Sequence, residues 1–179
     1  MILQFTSIHN QKRGLLSSML SRSYADLIAA DPIYWKEEER NWIQFDHDAF
    51  SNMESVGACV FLSWHDQEII GFGSFDPRQR PAVGIVGHNC ILPKYRGQGF
   101  GKQQIMEILR RFFSLGIKSA RVTTNDNSFF IPAQRMYLSC GFKETGREAC
   151  KNNPNQGLIH YQKRSDDLCF HGHGKKPPR

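Results

Sequence analysis

The chain has 179 residues, 40% apolar and 22% charged, a composition typical of one soluble globular domain. Lysine and arginine number 23 against 17 acidic residues, and this mild excess favours anionic ligands without indicating nucleic acid. No apolar run approaches the about 20 residues that span a bilayer, and residues 1–13 lack a signal-peptide layout. We therefore expect no membrane association and a cytoplasmic protein, whose five cysteines, lacking a C-x-x-C pair, are mostly buried thiols.

Apolar periodicity predicts strands and helices in chain order. A first strand precedes two helical stretches, which Pro32 separates, and a hairpin then turns around the segment HDQE. Strands are predicted at 1–8, 58–64, 69–76, 83–92 and 118–124. A closing hairpin is predicted over 141–164, with a loop at 152–157. Helices are predicted at 12–30, 37–51, 102–115 and 131–140. Strands outnumber the singly inserted helices, so we expect an α/β (α+β) fold with a mixed sheet. We expect it to be one domain over 1–165, followed by a flexible tail at 166–179.

Glycines crowd the turn between the strand at 83–92 and the helix at 102–115. Gly97, Gly99 and Gly101 alternate there, and Arg96 precedes them. A helix start leaves unpaired amides with a partial positive charge, and glycine lets a bulky anion reach them. The pattern therefore predicts an anion site suited to pyrophosphate.

Two nucleotide motifs fail at this turn. A Walker A loop needs serine or threonine after its lysine, whereas Gln103 follows Lys102. A dinucleotide fingerprint needs a last glycine that is missing here, and no acidic residue ends a strand about 20 residues later. From the glycines alone, a turn without a ligand stays an open alternative.

The remaining pattern, R-x-x-G-x-G at Arg96, Gly99 and Gly101, resembles the acetyl-CoA-binding motif of the GNAT superfamily of N-acetyltransferases. Downstream, AQRMYLSCGF resembles the family's A-x-x-x-Y-x-x-x-G-F segment, with Tyr137 at the tyrosine. The resemblance is specific over about residues 83–147. It implies a mixed, mostly antiparallel, twisted sheet of six to seven strands flanked by about four helices.

The resemblance also implies which residues hold acetyl-CoA. The end of the strand at 83–92 is expected to pair with the pantetheine arm and the glycine turn to hold the pyrophosphate. The contacts expected are Cys90, Ile91, Leu92, Arg96, Gly97, Gln98, Gly99, Phe100, Gly101 and Lys102. The family often places an asparagine where this chain has Phe130. The nearest asparagines are Asn125 and Asn127, and Asn127 is taken as the contact.

Three residues are the main candidates for catalysis. Tyr137 resembles the family's proton donor to the leaving thiolate, although its spacing with Ala133 and Cys140 also fits a core residue. The amide of Ile91 can stabilise the developing oxyanion. His88 has an ordinary pKa that suits a general base, although a packed or exposed strand histidine fits as well, and Glu54, Glu68 and Asp76 are weaker candidates.

The acceptor is expected to be a small-molecule or peptide amine that attacks acetyl-CoA directly in a ternary complex. Candidate acceptor contacts are Trp35, Phe75, His88, Asn89 and Tyr161. The residues considered for acceptor contact in the first two helices and the strands also fit core positions, and these are Tyr24, Trp35, Trp42, His47, Phe75 and Tyr161. No metal is expected, since CFHGHG near the C-terminus lacks the spacing of an established site. A non-catalytic or regulatory acyl-CoA-binding module is the alternative function. Dimers are common among similar proteins, so a homodimer is one expected assembly.

Overall fold

The computed structural model describes residues 2–150 and 153–165, which form a seven-stranded sheet with helices on both faces. The strands are β1 Gln4–Thr6, β2 Val60–His65, β3 Glu68–Asp76, β4 Gly84–Ile91, β5 Ser119–Asn125, β6 Lys143–Cys150 and β7 Asn153–Arg164. The helices are α1 Leu15–Ser23, α2 Ala25–Ala30, α3 Pro32–Ser51, α4 Phe100–Ser114 and α5 Ile131–Ser139. Short 3-10 turns occupy Gly57–Cys59, Pro93–Tyr95 and Ser128–Phe130.

The sheet order is β1-β2-β3-β4-β5-β7-β6. Within the described residues, β4 and β5 are the one parallel pair, and every other neighbouring pair is antiparallel. The prediction of a mixed, mostly antiparallel sheet is therefore confirmed. The predicted tail at 166–179 lies outside the described residues.

Two helix boundaries differ from those predicted. The helix expected over 12–30 is divided at Tyr24, whose φ of −113° and ψ of 17° leave the helical region. The next helix begins at Pro32, earlier than expected, because the side chain of Asp31 accepts a hydrogen bond from the amide of Tyr34 at 3.2 Å. Division of the first helix gives five helices instead of about four.

Residues 153–157, which are predicted to lie in a loop, belong to β7 instead, since this strand already begins at Asn153. The long β7 pairs with β5 on one side and β6 on the other. This pairing places the second half of the chain on one side of β4.

The core has a layer on each face of the sheet. Side chains alternate along β2, so Val60 and Leu62 pack with α1 and α3 while Phe61 packs with α4 and α5. On the first face, the buried carboxylate of Asp46 accepts hydrogen bonds from the amides of Gly14 at 2.6 Å and Leu16 at 2.8 Å. This contact fixes the start of α1 against α3.

None of the helices in the described residues combines the length and apolar composition that crossing a bilayer requires.

Candidate active site

The strands β4 and β5 separate soon after they meet. They pair only at Gly84 with Ala120 and at Ile85 with Arg121, whereas β4 stays paired with β3 as far as Ile91. Along the rest of β4, the edge facing β5 has no strand partner among the described residues. The sheet therefore opens into a gap that exposes backbone hydrogen-bonding groups.

An irregularity in β4 accompanies this gap. Between the pairs Gly73–Asn89 and Phe75–Val86, β4 carries one residue more than β3. The hydroxyl of Ser74 donates to the carbonyl of His88 at 2.8 Å and holds the irregularity in place. Such a bulge re-aims the residues around it, here toward the gap.

The amide of Ile91 points into the gap. The next amide, that of Leu92, donates to the carbonyl of Ile70 on β3 at 2.8 Å. Because successive amides of a strand point in opposite directions, the N–H of Ile91 faces away from β3, toward β5. The carbonyl of Ile91 also lies off the ladder, since it accepts from Arg96 Nε at 3.1 Å.

The glycine turn joins the open end of β4 to α4. Gly97 and Gly99 have φ of 76° and 81°, a conformation natural to glycine, and a Cβ at either position would meet nothing within 4 Å. Gly99 immediately precedes α4, and no described side chain caps the start of this helix. The amides at residues 100–102 therefore have no acceptor within the helix or from a side-chain cap, as an anion site at a helix start requires.

Arg96 fixes this turn through its guanidinium group. Beside the bond to Ile91, the group donates to the carbonyl of Ser23 and lies over the ring of Phe129, with Cζ 5.4 Å from the ring centroid. Lys102 and Arg135 line the same region from α4 and α5. The positive charge around the turn suits an anionic ligand.

The gap opens into a central cavity of about 840 Å³. Its lining includes residues 87–91 of β4, the glycine turn, residues 123–125 of β5, and side chains of α3, α4 and α5. The predicted residues that line it are Trp35, His88, Asn89, Cys90, Ile91, Arg96, Gly97, Gly99, Gly101, Lys102 and Tyr137. The structure thus gathers most of the two motifs and the end of β4 around one space.

Tyr137 lies on α5 with its side chain almost wholly buried, 4% exposed. Its hydroxyl accepts a hydrogen bond from the side-chain amide of Asn89 at 3.4 Å, and its ring packs on Phe142 and Tyr161. Burial raises the pKa of this phenol, an effect that the hydrogen bond from Asn89 partly opposes. The phenol is therefore protonated at neutral pH and can donate a proton into the cavity.

His88 lines the cavity from the irregular part of β4. Its ring centroid lies 4.9 Å from that of Phe45 on α3. Burial lowers the pKa of the imidazole, so the ring is neutral at physiological pH and can accept a proton. The weaker base candidates Glu54, Glu68 and Asp76 do not line this cavity.

Cys90 also lines the cavity, and burial raises the pKa of its thiol to about 11. The thiol is therefore protonated at neutral pH, the form that is a poor nucleophile.

Four predicted cofactor contacts lie elsewhere. Leu92 is buried below the strand end, with its amide already bonded to β3, and Phe100 is buried with Leu3 and Ile70. The side chain of Gln98 points away and donates to the carbonyl of Lys94 at 3.4 Å. These side chains do not line the cavity, although the backbone of Phe100 belongs to the helix start.

Asn127, the fourth, has a local structural role. Its side chain accepts from the amide of Phe129 at 2.9 Å and so caps a short turn. Asn125 lines the cavity instead, 8% exposed, with its side-chain amide donating to Gln156 at 2.6 Å. The sequence showed both asparagines near the expected position but not which of them β5 turns inward.

Two predicted acceptor contacts are core residues. The ring of Phe75 packs edge-on against Phe112 with centroids 5.5 Å apart, on the face covered by α4. Tyr161 is 2% exposed and lies behind Tyr137, their ring centroids 6.0 Å apart. Neither lines the cavity, because both face the core layer beneath α4 and α5.

Sequence reasoning missed part of the cavity lining. Glu38, Phe129 and Phe130 line it as well and are not among the residues considered from the sequence. Tyr24 and Trp42 also line it; they are considered for acceptor contact but are not among the candidate contacts. Their aromatic character was visible in the sequence. Their convergence was not, because it depends on the break between α1 and α2 and on the position of the turn before α5.

No group of three or more His, Cys, Asp or Glu side chains in the described residues is placed to hold a metal ion. The segment CFHGHG lies outside the described residues.

A sheet split at its parallel pair, beside an uncapped glycine turn and a buried tyrosine, defines a GNAT-type site. The chain belongs to the acetyltransferase (GNAT) family, whose family model matches residues 22–142. A search of curated proteins finds no match.

Solved structures share the fold at low sequence identity. A Desulfovibrio desulfuricans protein assigned to the GNAT family has a TM-score of 0.73 at 14% identity, over 90% of this chain and 98% of its own. A GNAT family acetyltransferase from Elizabethkingia anophelis, with acetyl-CoA bound, has a TM-score of 0.60 at 14% identity. The match covers 90% of this chain and 97% of that one. An acetyltransferase from Bacillus subtilis in complex with CoA has a TM-score of 0.60 at 15% identity. The match covers 91% of this chain and 97% of that one. These neighbours confirm the GNAT fold.

Proposed function

We propose that this protein is an acetyl-CoA-dependent N-acetyltransferase. It transfers the acetyl group to a primary amine of a small molecule or peptide by direct attack in a ternary complex. The observation that carries the proposal is the gap between β4 and β5, which opens beside an uncapped, glycine-rich helix start. Family membership and the CoA-bound neighbours support the same donor.

The chain's own residues fit acetyl-CoA, which supplies an activated acetyl thioester when bound. The amides at residues 100–102 would hold the pyrophosphate, with positive charge from Lys102 and Arg135 nearby. The open edge of β4 would pair with the pantetheine arm. The open space at Gly97 and Gly99 leaves room for the phosphates against the backbone.

Two groups would act on the thioester end of the donor. The N–H of Ile91 points into the gap and can stabilise negative charge on the carbonyl oxygen, a contribution typically worth about 3 kcal/mol. The buried phenol of Tyr137 holds its proton at neutral pH and can deliver it to the departing sulfur. Asn89 orients this hydroxyl through the hydrogen bond already formed.

His88 would accept the proton of the acceptor amine, directly or through water. Its neutral imidazole lines the same cavity as Tyr137. The high pKa of the Cys90 thiol, about 11, argues against an acetylated cysteine and supports direct attack by the amine. A cytoplasmic location and a homodimer belong to the same proposal.

The experiment is a thiol-release assay with acetyl-CoA and a panel of primary amines, coupled to mass spectrometry. We expect free CoA and an N-acetylated product in equal amounts. Tight binding of acetyl-CoA without thiol release from any amine would contradict the proposal and favour the non-catalytic acyl-CoA-binding module. Thiol release without an acetylated amine would show hydrolysis instead.

A further inference from the structure

Five aromatic side chains meet on one side of the central cavity. We call them the aromatic wall: Tyr24, Trp35, Trp42, Phe129 and Phe130. Tyr24, at the break between α1 and α2, touches the other four, with ring centroids 5.9 Å from Trp35, 5.3 Å from Trp42 and 5.9 Å from each phenylalanine. The wall is therefore one continuous apolar surface assembled from three separate segments.

Glu38 lies within this surface. Trp35, Glu38 and Trp42 are spaced three and four residues apart on α3, so they share one helix face. Of the described residues that line the cavity, Glu38 is the only carboxylate. Burial raises the pKa of this carboxyl, and a side-chain hydrogen bond with Asn41 opposes the effect.

The charges of the cavity lining come from different elements. Its basic side chains Arg96, Lys102 and Arg135 belong to the glycine turn, α4 and α5, where we place the phosphates of the donor. The carboxylate belongs to α3, together with two members of the aromatic wall. The α3 side therefore offers one negative charge framed by aromatic faces, which attract a cation carried on an apolar body.

The same wall disfavours a heavily hydroxylated acceptor. Its aromatic rings offer few hydrogen-bond partners, and a buried hydroxyl without a partner destabilises the complex. An aryl group stacked on aromatic rings is favoured beyond its apolar burial.

Building on the proposed N-acetyltransfer, we infer that the acceptor is a monoamine with an aromatic or branched apolar body. The aromatic wall encloses the body, and Glu38 attracts the ammonium group as it enters the cavity. Glu38 thus selects the acceptor and leaves the binding of acetyl-CoA unaffected.

The test compares acceptors that differ in the apolar body and in the number of charged and hydroxyl groups. In the thiol-release assay, 2-phenylethylamine is compared with ethylamine, spermidine and an aminoglycoside. We expect kcat/KM for 2-phenylethylamine to exceed each of the others by about tenfold or more. Phe130→Leu, at a half-buried ring, should lower the preference over ethylamine by about threefold or more while leaving KM for acetyl-CoA unchanged.

The charge is tested with two neighbouring glutamates of α3. Glu38→Gln should raise the Kd of 2-phenylethylamine for the CoA-loaded protein by about tenfold in calorimetric titration, where no acetyl transfer occurs. Glu37→Gln removes the same charge from an exposed position outside the cavity and should leave that Kd unchanged.

Equal effects of the two glutamate variants, or a preference for spermidine or the aminoglycoside, would overturn the inference. The titration separates this failure from that of the proposed function, because it measures amine binding without transfer. Tight binding of 2-phenylethylamine that depends on Glu38, together with no thiol release, would support the acceptor assignment and contradict N-acetyltransfer.

Discussion

At the scale of single residues, Tyr137 and Tyr161 provide a matched pair. Both are buried tyrosines with a raised phenol pKa, and their rings lie 6.0 Å apart, but only Tyr137 lines the cavity. Tyr137→Phe removes the proton donor and keeps the ring packing. We expect kcat to fall by about 100-fold or more and the Kd of acetyl-CoA to stay within about threefold.

Tyr161→Phe is the control and should retain near-normal kcat. Steady-state kinetics and calorimetric titration of acetyl-CoA measure both variants. An unchanged kcat in Tyr137→Phe across the pH range would exclude this residue as the acid.

Asp46 is expected to matter for stability. Its buried carboxylate accepts three amides at the start of α1, from Gly14, Leu16 and Ser17. Asp46→Ala leaves these amides without their partner and should lower the free energy of unfolding by about 2 kcal/mol or more. Asp48→Ala, at a half-exposed position of the same helix, should lower the free energy of unfolding by less than about 1 kcal/mol. Urea titration measures both variants.

The residues that could be predicted from the sequence are those whose function depends on local order along the chain. Ile91 ends β4, and Arg96 and Gly99 follow it closely, so their positions in the cavity lining were predictable from a short stretch of sequence. Glu38 and Asp46 were not, since each acts through elements that are distant in sequence. Phe75 and Tyr161 are predicted at the site but do not line the cavity, and an aromatic residue on a strand gives no sign of which face of the sheet it occupies.

At the scale of elements, the two ends of α4 allow a controlled test of the anion site. Gly99 lies immediately before the helix and Gly116 follows its end; both have positive φ, and a Cβ at either would meet nothing within 4 Å. Alanine at each position should therefore cost about 1–2 kcal/mol of stability through backbone strain alone. Only Gly99→Ala places a methyl group beside the open amides, so it should raise the Kd of acetyl-CoA by about tenfold.

Calorimetric titration and urea unfolding separate these two effects. Equal acetyl-CoA affinity in the Gly99 and Gly116 variants would show that the phosphates do not bind at the helix start.

Helix existence was predictable from apolar periodicity, but the breaks were not. Apolar residues continue at helical spacing through Tyr24, and nothing local marks a stop there. The break is accompanied by the packing of that ring on Trp35 and Trp42, which lie on another helix. Asp31 and Pro32 are a local signal for a helix start, which the helix predicted over 37–51 does not use.

At the scale of the whole molecule, His88 links stability to pH. Its pKa is lowered by burial, so the unfolded chain takes up this proton at a higher pH than the folded protein does. The stability that depends on a neutral His88 is fully present above about pH 6.5, the pKa of histidine in the unfolded chain. It is lost as the pH falls toward the lower pKa of the folded protein.

The free energy of unfolding should fall less between about pH 7.5 and 5.5 in His88→Gln than in the unmodified protein. Urea titrations of both proteins at both pH values measure this difference. The carboxyl groups with lowered pKa, such as Asp76 and Glu107, lose their contributions at lower pH and leave this window largely unaffected. The same pH dependence in both proteins would show that His88 is not desolvated in the folded state.

The mixed sheet followed from the order of the elements, but the gap did not. Pairing of β5 with β7, and the separation of β4 from β5 after two residue pairs, are contacts between distant parts of the chain. Their consequence, an open edge of β4, is visible only once the sheet is assembled.

Hydrogen exchange of single backbone amides, followed by NMR with and without CoA, tests this gap most directly. The N–H of Ile91 and those at residues 100–102 should exchange rapidly in the free protein and become protected by at least about tenfold when CoA binds. Leu92, whose amide already donates to Ile70, is the internal control and should show little change. Unchanged exchange at Ile91 and at the start of α4, with CoA bound, would contradict the placement of the donor between β4 and β5.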